Sequence, residues 1–188
     1  MRMDTSQDFS AYELVNNYSY EELKNIFYKY GEDKFSPSIA KKIVQYREKK
    51  PIETTLELVD IIKSAVPMKE RIKKHPARQI FQAIRIEVND ELNVLEQALR
   101  QSAELLNIGG RVVVITFHSL EDKIVKKYFN EVSKVDDIIK GLPNVNENLL
   151  PDYKVVNNKP IIPSNEEIEK NPRSRSAKLR VLERIKER

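Results

Sequence analysis

Gly109-Gly-Arg-Val-Val-Val-Ile-Thr-Phe-His-Ser-Leu-Glu-Asp122 (GGRVVVITFHSLED) decides how this chain is read. Paired glycines stop whatever precedes them. Arg111–Phe117 then forms a short apolar run rich in β-branched residues, the pattern of a strand buried on both faces of a parallel sheet. Ser119-Leu-Glu-Asp122 fits a capping box, in which a hydroxyl and a carboxylate satisfy the first free amides of a helix. Ile124, Val125, Tyr128, Phe129 and Val132 share one face of that helix. Upstream, Phe81, Ile84, Val88, Leu92, Leu95 and Leu99 recur every three or four residues, which predicts one long helix over Ala77–Leu106. Helix, strand, helix is the rhythm of a doubly wound α/β sheet.

Further from that centre the pattern changes. The first seventy residues show no strand-like alternation and read as a small helical bundle. Ser19-Tyr-Glu-Glu22 fits a capping box, with Leu23, Ile26, Phe27 and Tyr30 on one face and Gly31 as the stop. Ser36-Pro37 reads as a cap followed by an N1 proline. Thr54 or Thr55 can cap a third helix, with Leu58, Ile61, Ile62 and Ala65 turned inward. Met68–His75 is basic and aperiodic and reads as a linker. Downstream, Asp136–Pro151 reads as loop, Tyr153–Ile162 and Lys178–Ile185 as terminal strands, and Ser164–Lys170 as a short helix between them.

Composition narrows the function classes. Hydrophobic residues make up 40% and charged residues 33%, which suits a soluble globular chain. Without cysteine there is no disulfide framework and no thiolate metal site, and two histidines argue against a histidine-built metal centre. No apolar run approaches the roughly 18 residues of a membrane span, and MRMDTSQD lacks the apolar stretch of a signal peptide, so a cytoplasmic location and no membrane partner are expected. The net charge is +4, unevenly spread. Arg173, Arg175, Lys178, Arg180, Arg184, Lys186 and Arg188 stand against only Glu183 and Glu187 in the last eighteen residues. Such a cationic segment on a near-neutral body suits an anionic partner, most simply nucleic acid, although for a bare charge run a solvated basic terminus is the more common reading.

Three constellations could carry chemistry. Phe117-His118-Ser119 stands at a strand's carboxyl end, where ligands bind in open α/β sheets. Free amides there favour an anion, and His118 could donate to a phosphate or move a proton; plain packing and capping is the competing reading. Pairing His118 with Asp122 for hydrolysis is a third, weaker idea, because Asp122 is also the capping-box acid. Arg78, Gln82, Arg85 and Asn89 lie at i, i+4, i+7 and i+11 on one helix face, groups suited to bidentate contacts with phosphates and base edges; a solvated or structurally hydrogen-bonded stripe is the competing reading. Asn171-Pro-Arg-Ser-Arg-Ser-Ala-Lys-Leu-Arg180 alternates guanidinium and hydroxyl donors, which suits phosphate contact, with disorder or nonspecific charge as the competing reading. No glycine-rich loop, Walker loop, dinucleotide fingerprint or serine nucleophile elbow is present.

MRMD (Met1–Asp4), YGED (Tyr30–Asp33), IAKKIVQYR (Ile39–Arg47), HPARQIFQAIRIEVNDEL (His75–Leu92), GGRVVVITFHSLED (Gly109–Asp122) and NPRSRSAKLRVLER (Asn171–Arg184) together resemble the RsmH (MraW) family. These are S-adenosylmethionine-dependent methyltransferases acting on a cytosine exocyclic amine in 16S ribosomal RNA. The resemblance implies the C-terminal part of a class I (Rossmann-like) methyltransferase sheet with an all-helical insert, the N-terminal strands and the methyl-donor loop of the family lying upstream of MRMD. Residues 1–74 would then be most of the insert, serving substrate recognition. Residues 75–188 would be a partial Rossmann-like domain with a basic tail. No cofactor-binding residue carries over. Arg78, Gln82, Arg85, Asn89, His118, Ser119, Arg173, Arg175 and Lys178 are the candidate RNA-facing groups, with 16S rRNA in the small subunit as partner. A catalytically silent RNA-binding remnant or partner subunit is the alternative. Val112–Phe117 would lack one neighbouring strand, so self-association through an apolar edge is expected.

Overall fold

The computed structural model describes residues 1–73, 75–136, 146 and 149–187. They divide into two compact units, Met1–Glu91 and Leu92–Arg188.

The first unit is helical: α1 (Ala11–Asn17), α2 (Tyr20–Gly31), α3 (Ser36–Arg47), α4 (Thr55–Ala65), α5 (Met68–Lys73) and α6 (Ala77–Asn89). Capping boxes at Ser10/Glu13, Ser19/Glu22 and Thr54/Glu57 start α1, α2 and α4, each satisfying amides that have no partner inside the helix. Their apolar stripes converge on Leu14, Leu23, Phe27, Ile39, Ile43 and Ile62, all fully buried. Gly31 sits where α2 meets α6: a Cβ there would lie 3.1 Å from the Gln79 carbonyl oxygen. The left-handed residue that ends α2 is not Gly31 but Glu32, at φ 48°.

Three expectations for this unit are corrected. Ser36 is not a cap: the helix begins at it, and its buried hydroxyl donates to the Asp33 carbonyl at 2.6 Å, while the Asp33 carboxylate takes the Phe35 amide at 2.7 Å. Met68–Lys73 is helical rather than a linker, because Pro67 offers its carbonyl to the amides of Glu70 and Arg71. A helix this short shows no periodicity in sequence. The unit also runs past the 74/75 junction to Glu91, because Ala77, Ile80, Ala83, Ile84 and Val88 share one core with α1–α4.

The long helix breaks. Asp90 turns left-handed (φ 50°, ψ 36°), separating α6 from α7 (Glu91–Glu104). Apolar periodicity runs through the joint unchanged, so the pattern does not reveal it; Asp is among the few residues that accept this conformation.

The second unit adds β1 (Arg111–Thr116), α8 (Ser119–Ser133), β2 (Tyr153–Val155), α9 (Asn165–Lys170), a 3₁₀ turn at Pro172–Ser176 and β3 (Lys178–Arg184). Strand order is β1-β3-β2, and both pairings are antiparallel, with Arg111 opposite Glu183, Thr116 opposite Lys178 and Val155 opposite Leu182. The sheet among the described residues is therefore not the parallel one expected from the β-branched run. Among the described residues only one face of it is covered. Val112 and Val114 join Leu99 and Ala103 of α7, Val125 and Phe129 of α8, and Leu182 in a small core. Val113 and Ile115 point the other way and are more than half exposed. Expected strand Tyr153–Ile162 shortens to β2, with one further bridge from Ile161 to Leu179. Gly109 (φ 77°) and Gly110 enter β1 through paired backbone bonds to Arg184. A Cβ on Gly110 would stand 2.8 Å from the Asn107 carbonyl. The expected loop 136–151 lies largely outside the described residues. No helix among them is long and apolar enough to cross a membrane.

Candidate functional site

At the β1–α8 turn, His118 rather than Ser119 is the N-cap. Its Nδ1 accepts from the Glu121 amide at 3.3 Å, and the Glu121 carboxylate accepts from the amides of Phe117 (2.8 Å) and His118 (3.2 Å). The box is shifted one residue from the expected Ser119/Asp122 frame. A carboxylate of the chain itself thus occupies amides that the sequence offered to an anion. The His118 Nε2 lies 3.3 Å from Glu121. Ser119 is exposed at the first helical position.

Asp122 is released from capping and does something else. Its carboxylate receives both the Arg180 Nε (2.7 Å) and a second guanidinium nitrogen (3.2 Å), and Lys178 at 3.1 Å. The Arg180 guanidinium, with Lys178 beside it, holds the carboxyl below the usual aspartate range against the opposing effect of burial. His118 and Asp122 therefore face different partners, and the hydrolytic pairing does not form. Arg180 opposite Val114 in the β3–β1 ladder was missed in sequence; the signal lay in the inward register of that position.

On α6 the four candidates part company. Arg78 is exposed. Gln82 reaches the Tyr30 carbonyl at 3.4 Å. Arg85 makes a bidentate pair with Glu91 at 2.7 and 2.8 Å, spanning the break at Asp90. Asn89 is a clamp: its Oδ1 accepts from the Met3 amide at 2.7 Å, and its Nδ2 donates to the carbonyls of Arg85 and Met1. That contact ties MRMD to the ND of the long motif, two segments far apart in sequence.

The basic segment divides too. Lys178 and Arg180 serve Asp122, and Arg184 donates to the carbonyls of Leu106 and Lys186. Arg173 and Arg175, on the 3₁₀ turn, are exposed and form no ion pair among the described residues. Arg111 and Lys154 both pair with Glu183, which lies below the usual glutamate range because both cations contact it, Lys154 foremost.

A helical unit followed by a small α/β unit, with arginines held outward on a short turn, defines a mixed α/β protein with a cationic surface. Its family is a methylase family. The model described as the MraW methylase family matches residues 1–185, and the chain belongs to that family of methyltransferases.

Proposed function

We propose that this chain serves the S-adenosylmethionine-dependent methylation of a cytosine exocyclic amine in 16S ribosomal RNA in the cytoplasm, and that its own share is to hold the RNA. Family membership across residues 1–185 is the observation that carries the reading. The outward Arg173 and Arg175 support it, because guanidinium groups with no ion pair among the described residues suit phosphate contact. Arg78 is the remaining exposed cation among the α6 candidates. Gln82, Arg85 and Asn89 are engaged in contacts of the helical unit whose α6 carries Arg78.

The methyl donor is a different matter. Among the described residues no glycine-rich turn follows a strand, and the amides at the one strand-to-helix turn after β1 are held by Glu121. These residues do not fit S-adenosylmethionine. This observation favours a second reading for the polypeptide by itself: an RNA-binding partner that depends on a methyl-donor site outside these 188 residues.

Titration of the purified chain with 16S rRNA fragments across a salt series tests the first reading. Affinity is expected to fall steeply with salt, and Arg173→Ala and Arg175→Ala should each lower the salt slope by about one unit. RNA binding that ignores salt and both substitutions would overturn it. Calorimetric titration with S-adenosylmethionine separates the two readings, since saturable binding supports a methyl-donor site in this chain and silence supports the partner role.

A further inference from the structure

On the uncovered side of the sheet, Ile115 and Leu179 face each other across the β1–β3 register. The backbone bridge between Ile161 and Leu179 (2.8 and 2.9 Å) brings Ile161 beside them. Phe117, just beyond the end of β1, is 55% exposed. Together they floor a cavity of about 590 Å³, within the size range of small-molecule and nucleotide sites. Its lining also takes polar side chains from other elements: Glu167 of α9, Asn171, and Arg173 of the 3₁₀ turn. Arg175 lies exposed two residues on.

We propose that this cavity takes up one unpaired nucleobase of a single-stranded RNA, stacked on Phe117, with the adjoining phosphate on Arg173. The inference rests on the RNA-holding role proposed above and adds where a base is held and which bases are preferred. Charge complementarity selects the occupant. An apolar peptide would leave Arg173 and Arg175 facing no anion, and a second copy of this sheet face would set only its own Glu167 against the two arginines. A nucleotide supplies a π-face for the aromatic ring and an anion for the guanidinium in one ligand. A duplex has no unstacked base to insert. Glu167 adds a preference. An ionised carboxylate can only accept, so it matches the exocyclic amine of cytosine or adenine and opposes the O4 acceptor of uracil.

Fluorescence anisotropy with oligo-C, oligo-A and oligo-U single strands, and with an RNA duplex of the same length, tests this on the full chain. Oligo-C and oligo-A are expected to bind more tightly than oligo-U. Phe117→Ala should weaken single-strand binding about tenfold or more while duplex binding stays nearly unchanged. Glu167→Gln should narrow the gap between oligo-C and oligo-U, because the amide can donate as well as accept. Phe117 is largely solvent-exposed, so circular dichroism should show the variant folded. RNA binding that is unchanged in Phe117→Ala would overturn the cavity proposal alone and leave the RNA-holding role standing. Absence of any RNA binding by the unsubstituted chain would overturn both. Loss of self-association in Phe117→Ala, without change in RNA affinity, would assign the face to a second copy and overturn the proposal.

Discussion

At the scale of the residue, the polar groups with the most to lose are those already paired inside. Arg180 is only 6% exposed, and Asp122 supplies its countercharge. Asp122→Asn leaves a buried guanidinium without an anion, and denaturant unfolding should show a loss of about 3 kcal/mol. The same pair sets an acid limit. Because the folded carboxyl sits below its unfolded value, its contribution is complete above about pH 4 and fades as pH falls through the depressed folded value. Asp122→Asn should accordingly flatten the acid side of the stability profile, and an unchanged acid slope would count against the pairing. Asn89 makes the opposite point about reading function from residue type. It has the donors and acceptors to read a base, yet its amide is engaged with Met1, Met3 and Arg85. Asn89→Ala should cost about 1 kcal/mol and speed hydrogen exchange at the Met3 amide, with RNA affinity unchanged. A large loss of RNA affinity with normal exchange would reverse that assignment.

At the scale of the element, helices were legible wherever a local rule was sufficient. Ser19/Glu22 caps as its spacing predicts, Thr54, one of two threonines that could cap α4, is the one that does, and Ser164 starts α9. Lys178–Arg184 pairs as a strand. What could not be read was anything set by a distant partner. Frame selection at FHSLED depends on the Asp122 contact with Arg180, which competes with capping and wins because the pair is buried. The β1 run looks buried on both faces because β-branched residues suit either case; which face is covered depends on where α7 and α8 pack. Of the candidate site, the arginines of the 3₁₀ turn were visible as charge, while the cavity beside them needed Ile161 to bridge to Leu179. The break at Asp90 is the sharpest case, and it gives a sign test. In an unbroken helix Asp90→Gly would cost about 0.3 kcal/mol, since aspartate is already a poor helix former and glycine a worse one. At a left-handed joint the same change relieves the Cβ clash, and chemical unfolding should show Asp90→Gly neutral or more stable by up to about 1 kcal/mol.

At the scale of the whole molecule, the two units have unequal cores, and in one of them a strand edge is unpaired among the described residues. The helical unit buries large side chains from α1, α2, α3, α4 and α6, whereas the sheet unit relies on Leu99, Ala103, Val125, Tyr128, Phe129 and Leu182. Burial of apolar area is the main favourable contribution to folding, so the sheet unit should open first and unfolding should not be two-state. Heating followed by near-ultraviolet circular dichroism should report the tyrosines of the two units at different midpoints. β1 compounds this. Among the described residues it pairs only with β3, its outer edge carries no proline, and Val113, Val114 and Ile115 place no charge along it. Natural edges of this length are usually guarded by a lysine or a bulge, since free backbone groups recruit other strands. Val113 is 56% exposed, so a lysine there meets solvent and not the core. Sedimentation velocity should show concentration-dependent association in the unsubstituted chain and its reduction in Val113→Lys, with the helical unit's melting midpoint unmoved. A monodisperse monomer at every concentration would mean that the edge is closed by the chain itself, and Val113→Lys would then lower stability instead of raising solubility.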